Sequence, residues 1–81
     1  MGDEGLVAYM LLVTDVGKER AIASELKKMP GVTESRVVYG DYDVIVRLEV
    51  GDIRILDEIV SSIRKIPGIV RTSTLISPPV K

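Results

Sequence analysis

Two short stretches of this chain repeat each other: Met29-Pro30-Gly31-Val32 returns as Ile66-Pro67-Gly68-Ile69, with the prolines 37 residues apart. A Pro-Gly pair after a helical pattern stops the helix and turns the chain. In both halves such a pattern precedes the pair and a β-branched run follows it. Each half therefore reads as strand, amphipathic helix, Pro-Gly stop, strand. A chain of 81 residues has room for one domain, so the two halves must share a single core.

In order, Leu6 to Val13 is an almost unbroken apolar run, expected as a strand with both faces covered. Thr14 and Asp15 offer helix N-caps and Gly17 eases the turn. From Lys18 to Met29, Ile22, Leu26 and Met29 recur at i, i+4 and i+7, one stripe of a helix. A second strand is expected over Val32 to Tyr39. Tyr39-Gly40-Asp41-Tyr42-Asp43 reads as a hairpin turn, because Gly supplies positive φ and Asp bonds its own backbone there. The third strand, Asp43 to Val50, puts Val44, Val46, Leu48 and Val50 on one face and Ile45, Arg47 and Glu49 on the other. Gly51-Asp52 caps a second helix whose buried stripe is Leu56, Ile59, Val60, Ile63 and Ile66. Ile69 to Ile76 is the fourth strand, and Ser77-Pro78-Pro79 ends the ladder. Residues 6–76 form the expected domain, with tails over 1–5 and 77–81.

Short connections and right-handed crossovers convert this βαββαβ order into a split-βαβ, ferredoxin-like α+β sandwich with a four-stranded antiparallel sheet. Both helices then cover one sheet face. The other face carries apolar residues of the first strand and has no cover within the chain. A second copy stacking its sheet there, in an isologous dimer, would supply it. Self-association also suits the size, since so short a chain buries a small core, and the absence of Cys rules out disulfides.

Composition removes several functions. The formal net charge is −1 and no basic run occurs, against the basic stripe that nucleic-acid binding by this chain would need. No apolar segment approaches the roughly 20 residues of a membrane span, and the acidic start lacks a secretory n-region, so a cytoplasmic protein is expected. With no His and no Cys, the usual general base and thiol or imidazole metal ligands are missing, and neither an enzyme nor a metal or other cofactor is expected. The chain has no Asn either, which the acylphosphatase version of this fold requires. Its three aromatics are Tyr9, Tyr39 and Tyr42, too few on the strands for the base-stacking RNA-binding version. The lack of Asn and Gln beside plentiful Lys, Arg and Glu fits a thermophilic source.

The polar groups that remain are Gly40, Asp41, Tyr42 and Asp43 at the turn, with Thr72, Ser73 and Thr74 on the last strand. Carboxylates suit the ammonium of a free amino acid, and backbone N–H groups and hydroxyls suit its carboxylate. Taken singly, Gly40, Asp41, Thr72 and Thr74 are also what any hairpin turn or strand uses. Asp43 has less structural reason to start a strand, and Tyr42 fits a lid or an interface equally well. Arg36, Arg47 and Arg71 are expected to pair across strands or subunits.

Val38-Tyr39-Gly40-Asp41-Tyr42-Asp43, Ile66-Pro67-Gly68-Ile69-Val70-Arg71-Thr72-Ser73-Thr74 and the βαββαβ order together resemble the effector-binding RAM domain of the Lrp/AsnC, or feast/famine, regulators. The likeness runs from about Leu6 to Ile76. It implies sheet-stacked dimers assembled into rings, commonly octamers, with amino-acid effectors in the cleft between dimers. Gly40, Tyr42 and Asp43 would line that cleft, with Thr72 and Thr74 nearby. Full-length members carry an N-terminal DNA-binding helix-turn-helix, for which five residues leave no room. The expectation is a stand-alone form that senses an amino acid and co-assembles with a full-length regulator. The competing readings are a structural partner subunit without a ligand and an ACT-type regulatory module.

Overall fold

A computed structural model describes residues 5–78, so most of both expected tails lies outside the described residues. The order is β1 (Leu6–Thr14), α1 (Glu19–Leu26), β2 (Val32–Val37), β3 (Val44–Val50), α2 (Ile53–Arg64) and β4 (Ile69–Ser77). The strands form one sheet in the order β2-β3-β1-β4 with every neighbouring pair antiparallel. This is the ferredoxin-like α+β architecture expected from the repeat, with β1 and β3 in the centre.

Strand alternation sorts the residues onto two faces. Ala8, Met10 and Leu12 of β1 and Val44, Val46 and Leu48 of β3 are fully buried and meet Ile22, Leu26, Leu56 and Ile63 from the helices. Val7, Tyr9, Leu11 and Val13 point the other way and are only half-buried. Ser35 is a polar residue buried between α1 and β2; its hydroxyl donates to the Ala23 carbonyl at 2.9 Å, which satisfies it.

The two helices begin differently. At α2, Asp52 caps as expected, its carboxylate accepting from the N–H groups of Arg54 and Ile55. At α1 neither Thr14 nor Asp15 caps the helix. Thr14 is the buried last residue of β1, and Lys18 occupies the N-cap position without a side-chain bond. The turn is held instead by Lys18 N–H donating to the Asp15 carbonyl and Gly17 N–H donating to the Glu19 carboxylate. The strand runs one residue beyond its apolar pattern and takes Thr14 with it, while the Asp15 N–H is drawn to the Gly68 carbonyl. Helix α1 also stops at Leu26; Lys28 and Met29 continue as tighter turns bonded to Glu25 and Leu26.

The repeated Pro-Gly pairs end both helices, and each glycine sits under the opposite half. Gly31 (φ +92°) would place a Cβ 2.9 Å from Ile59 Cδ1 of α2, and Gly68 (φ +98°) would place one 3.2 Å from Ile22 Cδ1 of α1. The exit of each helix is thus packed by its counterpart. Gly31→Ala and Gly68→Ala should each cost about 1–2 kcal/mol from the left-handed backbone alone. Gly51→Ala, with no positive φ and open surroundings, should change little. Urea denaturation of the three variants checks this; equal stability for all of them would contradict it.

Candidate functional site

Loop 38–43 joins β2 to β3 and is closed by Val38 N–H donating to the Asp43 carbonyl at 2.9 Å. Gly40 takes a φ of +128° and Gly40 and Asp41 form an exposed tip, with open space where a Cβ would stand. Glycine is required there by the backbone and not by crowding.

Asp43 does have a structural task. Its backbone N–H donates to the Leu12 carbonyl at 2.8 Å, and its Oδ2 accepts the Thr14 N–H at 2.8 Å. The side chain stands in for a carbonyl where the β3–β1 ladder runs out, leaving Oδ1 for another donor. On the other side, Asp15 N–H donates to the Gly68 carbonyl at 2.8 Å. The end of β1 is therefore clamped between the loop and the start of β4, which brings the two sequence motifs to one end of the sheet.

They do not meet on one face. Thr72 and Thr74 are opposite Leu12 and Met10 in the β1–β4 register, so they point to the helix side. Arg71 is opposite Val13 and points to the uncovered side, and its guanidinium lies 5.6 Å from the centre of the Tyr42 ring. That contact is within cation–π range and ties the loop to the uncovered side. Two strand spacings, roughly 10 Å, separate the start of β3 from Thr72 across β1. Within one chain the loop and the two threonines stand apart.

The structure adds a residue that strand patterning did not single out. Arg64, in the last turn of α2, borders two shallow grooves along β4, one including Thr72 and one including Thr74. Thr72 and Thr74 thus each line a groove that Arg64 also lines, with Asp57 at the Thr74 groove as well; hydroxyls and a guanidinium together suit a carboxylate. The signal was available, since Arg64 follows Leu56 and Val60 at i+8 and i+4, but its neighbours on that face are apolar. The uncovered face carries the remaining ionic contacts. Arg36 bonds Glu34 and holds its carboxyl below the ordinary 4.5. Glu49, and less strongly the Tyr9 hydroxyl, raise the Arg47 guanidinium above its already high value. Among the described residues no group of three or more His, Cys, Asp or Glu is placed to hold a metal, and no helix is long and apolar enough to cross a membrane.

A βαββαβ sheet with two helices on one face and open at the other defines a small ferredoxin-like α+β domain. Residues 7–77 match the Lrp/AsnC ligand binding domain, and the chain belongs to that family. It is 32% identical over 71 residues to the HTH-type transcriptional regulator FL11 of Pyrococcus horikoshii, covering 88% of this chain and 47% of that protein. The chain thus spans about half the length of the curated relatives it matches. A crystal structure of a hypothetical protein from the same organism superposes with a TM-score of 0.85 at 45% identity, covering 89% of this chain and 88% of the other. A transcriptional regulator of Neisseria meningitidis in complex with L-Met shares the fold, with a TM-score of 0.80 at 17% identity over 93% of this chain and 51% of that one. A shorter stretch is 37% identical over 54 residues to a homocitrate synthase of Sulfurisphaera tokodaii, 67% of this chain and 12% of that protein. The regulator FL11 thus matches over 88% of this chain and the synthase over 67%.

Proposed function

We propose that this chain is an amino-acid-responsive assembly domain of the Lrp/AsnC regulators, acting in the cytoplasm. Two copies clasp through their uncovered sheet faces, and dimers join further so that the loop of one meets β4 of another. The observation that carries this reading is the split of the polar groups. Asp43, Asp41 and Gly40 stand at the loop, Thr72 and Thr74 with Arg64 stand on the far side of β4, and one chain cannot close them on one ligand. An amino acid held between copies would take its ammonium contacts from the loop carboxylates and its α-carboxylate contacts from the hydroxyls and Arg64. Because the ligand would favour the joined state over the free one, binding would shift the assembly. Co-assembly with a full-length regulator, through the contacts between dimers and not through the sheet face, would pass that shift to DNA. The neisserial regulator bound to L-Met is a precedent for the ligand class in this fold.

Isothermal titration of the chain with each common amino acid tests the reading; at least one should give heat, and Asp43→Asn should abolish it. An Asn oxygen can still accept the Thr14 N–H, so this variant should keep its stability to within about 0.5 kcal/mol. Asp43→Ala should also lose the ligand, and in addition about 1–2 kcal/mol for the unpartnered Thr14 N–H. Silence from every amino acid, or full binding by Asp43→Asn, would refute the site.

A further inference from the structure

The uncovered face is not uniformly apolar. Its β1 and β4 half carries Val7, Tyr9, Leu11, Val13 and Leu75 with Arg71 at the loop end, while its β2 and β3 half carries Glu34, Arg36, Arg47 and Glu49 around Ile45. We propose that this charged half, centred on Arg47, is a selectivity key that restricts the face to a second copy of this chain and rejects unlike sheets. The inference rests on the sheet-stacked dimer proposed above, and adds what decides its partner.

Arg47 is the hub. Its Nη1 donates to Thr33 Oγ1 at 2.9 Å and bonds the Glu49 carboxylate, and Tyr9 faces it across the β1–β3 register. Glu34 is opposite it in the β2–β3 register and is itself held by Arg36. The register shifts between Val32 and Glu34. This bulge inserts Thr33 as an extra residue beside Arg47, where its hydroxyl also reaches the Arg47 carbonyl at 3.3 Å. The strand departs from regular pairing at the position that completes the cluster. The Arg47 side chain is 31% exposed against 70% for Arg36, so it lies low on the face and would be covered by a stacked sheet.

Charges under a stacked sheet add little affinity, because their desolvation offsets their attraction. They do penalise the wrong partner, since a like charge or an unanswered one is left buried. A single polar residue in an apolar coiled-coil seam sets register and partner in the same way. The sign pattern is compatible with a second copy as the occupant. Two carboxylates and two guanidiniums sum to zero, so the patch can answer its own copy, as an isologous contact demands. A patch of one sign would repel it.

The test mixes the wild-type chain, uniformly labelled with nitrogen-15 because the exchange leaves composition and mass unchanged, with the unlabelled charge-swapped variant E34R/R36E/R47E/E49R, which carries the same pattern inverted, and counts species by native mass spectrometry. Each protein should pair with itself, and mixed dimers should fall well below the about one-half of random pairing. Mixed dimers at the random fraction would overturn the key while leaving the dimer standing. A wild-type chain that stays monomeric would overturn the dimer and the key together. If the swapped variant does not fold, Glu34→Lys serves: it should raise the dissociation constant about tenfold, while Glu58→Lys on the exposed surface of α2 should not. Equal effects from the two would also overturn the proposal.

Discussion

Leu11→Glu is expected to leave the chain folded and to raise the concentration at which its copies separate by about two orders of magnitude or more. Leu11 lies near the middle of β1 on the uncovered face, opposite Ile45 on β3 and Ser73 on β4. In the single chain a carboxylate there can reach water, so the helix-side core is untouched. In the proposed dimer the same carboxylate would be pressed between two sheets without a partner. That costs several kcal/mol, and each 1.4 kcal/mol is about a tenfold change in affinity. The symmetry of the contact places the change twice in each interface. Sedimentation velocity across a dilution series measures it, with circular dichroism to verify that the fold is kept. A folded variant that dissociates at the wild-type concentration would show that this face is not where the copies meet.

The repeat made the fold legible before any coordinates. Pro30-Gly31 and Pro67-Gly68 mark where each helix stops, and the alternation of Val44, Val46, Leu48 and Val50 against Ile45, Arg47 and Glu49 assigns β3 to its faces without ambiguity. The apolar run of β1 was harder, because both of its faces are apolar; only the register shows that Ala8, Met10 and Leu12 meet the helices while Val7, Tyr9 and Leu11 do not. The first helix cap was misplaced for a related reason. Thr14 and Asp15 have the right chemistry for a cap, yet pairing with β3 and β4 holds the chain extended through Thr14. Local preference yields to tertiary hydrogen bonds there.

The candidate polar residues were legible as a set but their arrangement was not. Composition and turn chemistry single out Gly40, Asp41, Tyr42 and Asp43, and strand pattern singles out Thr72 and Thr74. What they cannot convey is sidedness: β4 pairs with β1 so that Arg71 goes to one face and Thr72 to the other. Nor could spacing reveal that Asp43 completes the end of β1 through Thr14, a residue 29 positions earlier. Arg64 and the Tyr42–Arg71 contact escaped for the same reason, since both depend on which ends of the sheet come together.

Leu12→Ala should be the most damaging single truncation at this end of the molecule, lowering stability by about 2–5 kcal/mol. Leu12 is fully buried on the central strand, in register with Val44 on one side and Thr72 on the other. Its carbonyl also receives the Asp43 N–H. Removing the side chain opens a cavity beneath the row that connects the loop to β4, where the surrounding strands cannot collapse without giving up hydrogen bonds. Domains are stable by only about 5–15 kcal/mol, and at this size each kcal/mol shifts the melting temperature by about 4–8 °C. A fall of about 10 °C or more is therefore expected in a thermal melt followed at constant concentration. Val16→Ala, at a side chain wholly in solvent, should leave the melt unchanged. The cavity should also loosen the Asp43–Thr14 clamp, so hydrogen exchange at the Thr14 and Asp43 amides should quicken more than at Leu48 on the far half of β3. Uniform quickening across the sheet would mean that the loop and β4 are coupled only through global unfolding, and not through Leu12.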